Sequence, residues 1–196
     1  MTRLANGKSE LLSFFAQFDW PFEILNTLSI YDLFQRGQPS WLTAELCDLI
    51  PVTCEWEWWI ACEEYPLKYL NQERIQVAKT HGPNGLGIKD LEHYAQVIKD
   101  KSFQYYDYGK VLNEQYYGQD TPPAIPVENI VDFPIGLFVG ESDGLATVKD
   151  NEWLKEKLSQ QGSLAGYHEY GFGHISFFLA EDMSYFSEDV IPFIKA

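Results

Sequence analysis

Basic residues are scarce in this chain. Across 196 residues, 14 Lys and Arg stand against 29 Asp and Glu, a formal charge of -15. So acidic a surface repels phosphate backbones, which excludes nucleic acid as a partner. No apolar run is long enough to cross a membrane as a helix, so no transmembrane segment is expected. The opening MTRLANGKSELL carries charge but lacks the apolar stretch and small-residue cleavage site of a signal peptide. No Asn-x-Ser/Thr acceptor occurs. Cysteine is reduced to Cys47, Cys54 and Cys62, an odd set in one short region. One disulfide with a free thiol fits that set, and so do three buried thiols. Histidine numbers 4, and His81 and His93 do not share a helical metal spacing. No metal site and no cofactor are expected. Internal repeats and low-complexity segments are absent too.

What is plentiful is aromatic surface: 6 Trp, 12 Tyr and 13 Phe make up 16% of the chain, which points to aromatic-lined surfaces or pockets. The length suits one domain with a sizeable core. From Lys8 to about Thr80 the pattern is helical and irregular, without a cleanly alternating strand. Leu11, Leu12, Phe14 and Phe15, then Phe22, Ile24, Leu25 and Leu28, mark two amphipathic pieces broken near Asp19 and Pro21. Ser40 caps a helix that Pro51 ends, and Thr53 caps another over CEWEWWIAC. The tryptophans of that segment, Trp56, Trp58 and Trp59, suit a helix core or an acyl-binding surface. Further helices are expected over Asn71–Lys79 and Lys89–Lys99, with a turn cluster at Gly82–Gly87 between them. Lys89 is displaced from where a phosphate loop would need it. Ser102–Tyr117 is aromatic-rich and partly irregular, Thr121–Val127 is a Pro-rich connector, and a last helix over Met183–Ile194 buries Ile191, Phe193 and Ile194.

The chemistry concentrates between Phe133 and Phe178. Pro134–Val139 is a short apolar run of the kind that forms a buried strand. Gly140–Ala146 is a polar, Gly-punctuated loop. Thr147 with Asp150 makes a capping box for a helix whose apolar stripe is Val148, Trp153, Leu154 and Leu158, and Gly162 stops it. Gly166–Tyr170 reads as a second strand, followed by His174 in another Gly-rich loop. A right-handed crossover between the two strands brings Asp143 and His174 to one carboxyl-end edge. A carboxylate in that position orients an imidazole for general-base work. Gly140-Glu141-Ser142-Asp143-Gly144 also matches G-x-S-x-G, but a nucleophile elbow starts its helix directly after the serine. Here the cap, Thr147, comes five residues later, so Ser142 reads as a bystander. His168 falls on the strand as a surface or supporting residue.

Several stretches, taken in order, resemble the acid lipases, the family of gastric and lysosomal acid lipase. His81-Gly82-Pro83-Asn84-Gly85 is similar to its H-x-P-A-G turn, and Leu91–Gln96 to its L-x-H-W-x-Q helix. Phe103 with Tyr106-Asp107-Tyr108-Gly109 matches F-x-x-[FY]-D-[YW]-G, and Pro122-Pro123 the PP connector. Gly140–Ala146 looks like the G-x-x-D-x-L-A loop of the catalytic acid. Gly173–Phe177 looks like the H-x-D-F segment of the catalytic histidine, with Ser176 in place of the usual Asp. The resemblance covers most of the chain and is strongest from about Cys47 onward.

The resemblance implies the C-terminal part of an α/β-hydrolase fold: residues 81–196 as the last two parallel strands with their helices, and residues 1–80 as a mostly helical cap. It implies that Asp143 and His174 are the acid and base of a Ser-His-Asp triad, with neutral lipid esters (triacylglycerol or steryl ester) as substrate. Cys47 and Cys54 are then disulfide partners, and the compartment is lysosomal or secreted. The front half of the sheet, its elbow serine and its oxyanion hole have no counterpart here. They are expected upstream in the same precursor or on a second chain. The alternative expectation is a catalytically inactive, hydrolase-derived subunit of a larger assembly.

Overall fold

Two apolar segments pair in parallel because a helix long enough to span the crossover lies between them. The computed structural model describes residues 6–7, 13, 16–33, 69–81 and 85–196. In chain order the helices are α1 (Trp20–Thr27), α2 (Gln72–His81), α3 (Ile88–Asp100), α4 (Lys110–Tyr117), α5 (Val148–Gln161), α6 (Ser176–Leu179) and α7 (Ile191–Lys195). The strands are β1 (Asp32–Leu33), β2 (Leu86–Gly87), β3 (Ile135–Gly140) and β4 (Leu164–Tyr170). β1 and β2 pair antiparallel, and β3 and β4 pair parallel, which makes this a mixed helix and strand fold.

Sequence determines the bounds of the central unit. Thr147 is extended (φ -61°, ψ 151°), and its hydroxyl accepts from the Asp150 amide at 3.4 Å, so α5 starts where the capping box puts it. Gly162 ends α5 in the left-handed region at φ 75°, a conformation that costs glycine little. β4 begins at Leu164, two residues ahead of the Gly166 read from the sequence. Register runs from Ile135 opposite Leu164 to Gly140 opposite Tyr170, with an irregularity after Ile135. α5 lies against both strands and against a 3-10 turn at Val127–Asn129, burying Leu158, Val139 and Val127.

A second small core joins α1 to α3 through Ala16, Phe22, Ile88 and Ala95, flanked by Leu25, Leu91 and Ile98. This core draws on both sides of residue 80. α1 takes Pro21 into its first turn, where a missing N–H is harmless, so that proline opens the helix. The expected helices at Ser40–Leu49 and over CEWEWWIAC, the apolar residues Leu11, Leu12, Phe14 and Phe15, Trp56, Trp58 and Trp59, and all three cysteines lie outside the described residues.

Three expectations change. Within the stretch read as partly irregular, Lys110–Tyr117 is a helix, opened by Gly109 and closed by Gly118. Its aromatic density hid a turn-bounded helical segment. The last helix runs over the expected segment without a break, but it takes π spacing at Phe186–Val190 before α7. Pro192 has no N–H to return to the Glu188 carbonyl, so the i→i−4 ladder cannot run through it. Ile194, expected inside, is 72% exposed. Phe193 does face inward, its ring edge-on to Phe138 at 6.0 Å and across Gly136. In the N-terminal region, read as lacking a cleanly alternating strand, the two-residue β1 is too short to show alternation.

Candidate active site

The carboxyl ends of β3 and β4 carry the two loops that matter. Beyond β3 the chain turns at Glu141 and Ser142, whose amides donate to the carbonyls of Tyr170 (2.8 Å) and Phe172 (3.0 Å). These bonds splice the first loop to the second. The approach is close: a Cβ on Gly140 would stand 2.5 Å from the Phe172 carbonyl oxygen, so only glycine fits. The residue that follows this splice is Asp143.

Asp143 is 5% exposed. Its Oδ1 accepts from the amides of Leu145 (2.8 Å) and Ala146 (2.7 Å), and its Oδ2 lies 3.0 Å from His174 Nδ1. Two fixed amide donors keep the carboxylate's second oxygen aimed at the ring. A buried carboxylate is tolerated only when its lone pairs are satisfied, and here both oxygens have partners.

His174 is held from its own side. Phe172 stacks on Tyr170 at 5.7 Å and meets Phe177 edge-on at 5.5 Å, while Tyr185 closes the cluster at 5.4 Å from Phe177. The Tyr185 hydroxyl donates to the Phe177 carbonyl at 2.6 Å. Between these aromatics, Gly173 N donates to Ser176 Oγ at 3.4 Å, with Ser176 wholly buried. The loop is thereby wedged by rings and tied by a hydroxyl, leaving the His174 side chain 29% exposed. An imidazole held at Nδ1 by a carboxylate is an arrangement that can take and return a proton at Nε2.

Ser142 shares the acid loop, but the first residue of α5, Val148, comes six positions later, so no helix N-terminus supports it as an elbow would. His168 sits on β4, its ring stacked on Phe138 at 5.3 Å and 6°. His93 Nε2 lies 2.8 Å from the Gln104 carbonyl on the α1–α3 side of the molecule. Among the described residues, no group of His, Cys, Asp or Glu is placed to hold a metal ion, and no helix is long and apolar enough to cross a membrane.

Reading the sequence alone missed the amide pair of Leu145 and Ala146 and the side chain of Asn151 behind it. It also missed Asn6, whose backbone amide (2.8 Å) and side-chain amide (2.6 Å) both donate to Asp150 in the first turn of α5. An Asn directly after a capping box is a weak signal, and a contact across 144 residues leaves none.

No family model matches the chain. Among characterised proteins, it is 33% identical over 133 residues to a tear acid lipase-like protein of Mesocricetus auratus, covering 66% of this chain and 32% of that one. It is 31% identical over 147 residues to gastric triacylglycerol lipase of Homo sapiens, covering 73% and 36%. To lysosomal acid lipase/cholesteryl ester hydrolase of Rattus norvegicus it is 29% identical over 119 residues, covering 59% and 30%. The chain spans about a third of the length of these relatives.

Proposed function

From a chain that is a relative of the acid lipases by sequence, we propose a role in hydrolysing neutral lipid esters, triacylglycerols or steryl esters. His174 is the general base that takes the proton of a nucleophilic serine and then hands it to the leaving alcohol. Asp143 holds the imidazole in the tautomer that leaves Nε2 as acceptor, and stabilises the imidazolium as it forms. Residues 81–196 serve as the C-terminal part of an α/β-hydrolase core, and residues 1–80 as a cap over the ester. The serine and its oxyanion donors come from a polypeptide segment other than the βαβ unit described here, either in the same precursor or on a second chain.

The observation that carries this reading is the buried Asp143 carboxylate, held by two amides and set 3.0 Å from His174 Nδ1. The ester substrates are those named for the relatives, a triacylglycerol lipase and a cholesteryl ester hydrolase.

The test isolates the protein from its own cells, in whatever assembly it occurs, and measures fatty-acid release from triacylglycerol and cholesteryl ester emulsions. A His174→Ala version is measured alongside. Release by the wild type that disappears in His174→Ala is expected. Equal release by both, or release by neither, sinks the reading in favour of a structural subunit.

A further inference from the structure

We infer that Asn151 is a positioning residue for the Asp143–His174 pair. The inference rests on the roles proposed above for those two residues. Asn151 is the fourth residue of α5 and is 9% exposed. Its Nδ2 donates to the carbonyls of Ala146 (2.7 Å) and Thr147 (3.0 Å). The Thr147 carbonyl belongs to the helix ladder and also accepts from the Asn151 and Asp150 amides. The Ala146 carbonyl precedes the N-cap and lies outside that ladder, and the Asn151 side chain reaches it instead.

The consequence lies one peptide away. Ala146 gives its N–H to Asp143 Oδ1 at 2.7 Å while its carbonyl takes Asn151 at 2.7 Å. One residue is thus gripped on both sides, by the carboxylate it orients and by the side chain behind it. Fixing the carbonyl fixes the orientation of Ala146, and with it the direction of the N–H that aims Asp143. The first turn of α5 is anchored in turn: Asp150, fully buried, takes both donors of Asn6 and lies 3.3 Å from the Thr147 hydroxyl. The helix is therefore a fixed base against which Asn151 braces the acid loop. Asn151 touches neither His174 nor the space beyond it and acts only through Ala146 and Asp143.

The experiment replaces Asn151 with Leu, similar in shape and without a donor, in the 196-residue chain. Proton NMR then follows the hydrogen-bonded Nδ1–H of His174, assigned by its loss in Asp143→Asn. Gly162→Ala, which strains the far end of the same helix at φ 75°, is the control for a merely structural loss. The resonance is expected in the wild type and in Gly162→Ala, and is expected to be lost or exchange-broadened in Asn151→Leu. Where ester hydrolysis is measurable, kcat should fall by up to about 100-fold with KM unchanged, the scale of a small misplacement of a catalytic group. A resonance that persists unchanged in Asn151→Leu overturns this inference and leaves the proposed function standing. A wild type that has the resonance but never hydrolyses ester sinks the function while the bracing of Asp143 by Asn151 survives. No resonance in the wild type overturns both.

Discussion

Asp143 Oδ2 and His174 Nδ1 lie 3.0 Å apart although the two residues are 31 positions apart in the chain, with a helix and a strand between them. A parallel crossover returns the chain to the same edge of the sheet, so the loops after β3 and β4 become neighbours. In the assembly that carries activity, His174→Ala and Asp143→Asn should each lower kcat for ester hydrolysis by about 10⁴, the scale of losing the base or its tautomer. Initial rates across substrate concentration check this. Losses under about tenfold would show that the pair orders the loops without serving the reaction.

Ser142 stands beside the acid yet serves the backbone, its amide donating to the Phe172 carbonyl. Ser142→Ala should leave turnover within about threefold of wild type, since no interaction with the transition state is removed. A fluorophosphonate probe should not mark this residue. Mass spectrometry that locates the label on Ser142 would make it the nucleophile and reverse its assignment.

The local devices of the site were legible in the sequence. The capping box Thr147/Asp150, the stop at Gly162 and the apolar run around Leu137 are rules of adjacent residues, and the structure's boundaries follow them closely. So did the shared edge of Asp143 and His174, because the topology of parallel strands is constrained. What was hidden depends on residues far apart. Asn6 on Asp150 carries no periodic signal, and the aromatic wedge of Tyr170, Phe172, Phe177 and Tyr185 mixes two elements with a loop. Ile194 was misplaced because apolarity was read as burial, whereas its neighbour Phe193, also expected inside, does face Phe138.

Gly140 sets how closely the two loops meet. A methyl group there would stand 2.5 Å from the Phe172 carbonyl oxygen, which is backbone and cannot swing aside. Gly140→Ala should cost about 1–3 kcal/mol as a local overpacking. At this chain length that corresponds to a fall in Tm of roughly 2–12 °C. Thermal unfolding by circular dichroism reads the loss, and an unchanged Tm would mean that the loops separate freely.

Tyr170 links β4 to the π turn by donating to Asp189 at 2.7 Å. Burial, then the hydrogen bond to Asp189 and its charge, push the phenol well above its ordinary value of 10.0. The folded state holds this proton more tightly than the unfolded chain, so the contribution is complete below about pH 10 and is lost as pH climbs beyond it. Denaturant midpoints measured from pH 8 to 11 should therefore fall more steeply for wild type than for Tyr170→Phe. Parallel curves would remove this linkage.

The remaining prediction concerns the outer edge of β3. Among the described residues its one strand partner is β4. The Ile135 amide donates to the Ser163 carbonyl and the Glu141 amide to that of Tyr170, so alternation turns the amides of Gly136 and Phe138 toward the opposite side. α5 lies on β3, and Phe193 covers Gly136. A parallel strand covered in this way is ordinarily an interior strand with a neighbour on each edge. An open edge beside apolar side chains is also a template for pairing with other chains. Each unpaired group shielded there costs on the order of 1–3 kcal/mol, a large share of a domain's stability of about 5–15 kcal/mol. Amide exchange on the 196-residue chain should find Gly136 and Phe138 exchanging far faster than Leu137 and Val139, whose amides face β4. Under the proposed function, the same two amides should become protected in the cellular assembly, where a strand from another segment would take their hydrogen bonds. Protection of Gly136 and Phe138 in the chain by itself would show that its own residues already close this edge. The sheet would then need no further strand at β3.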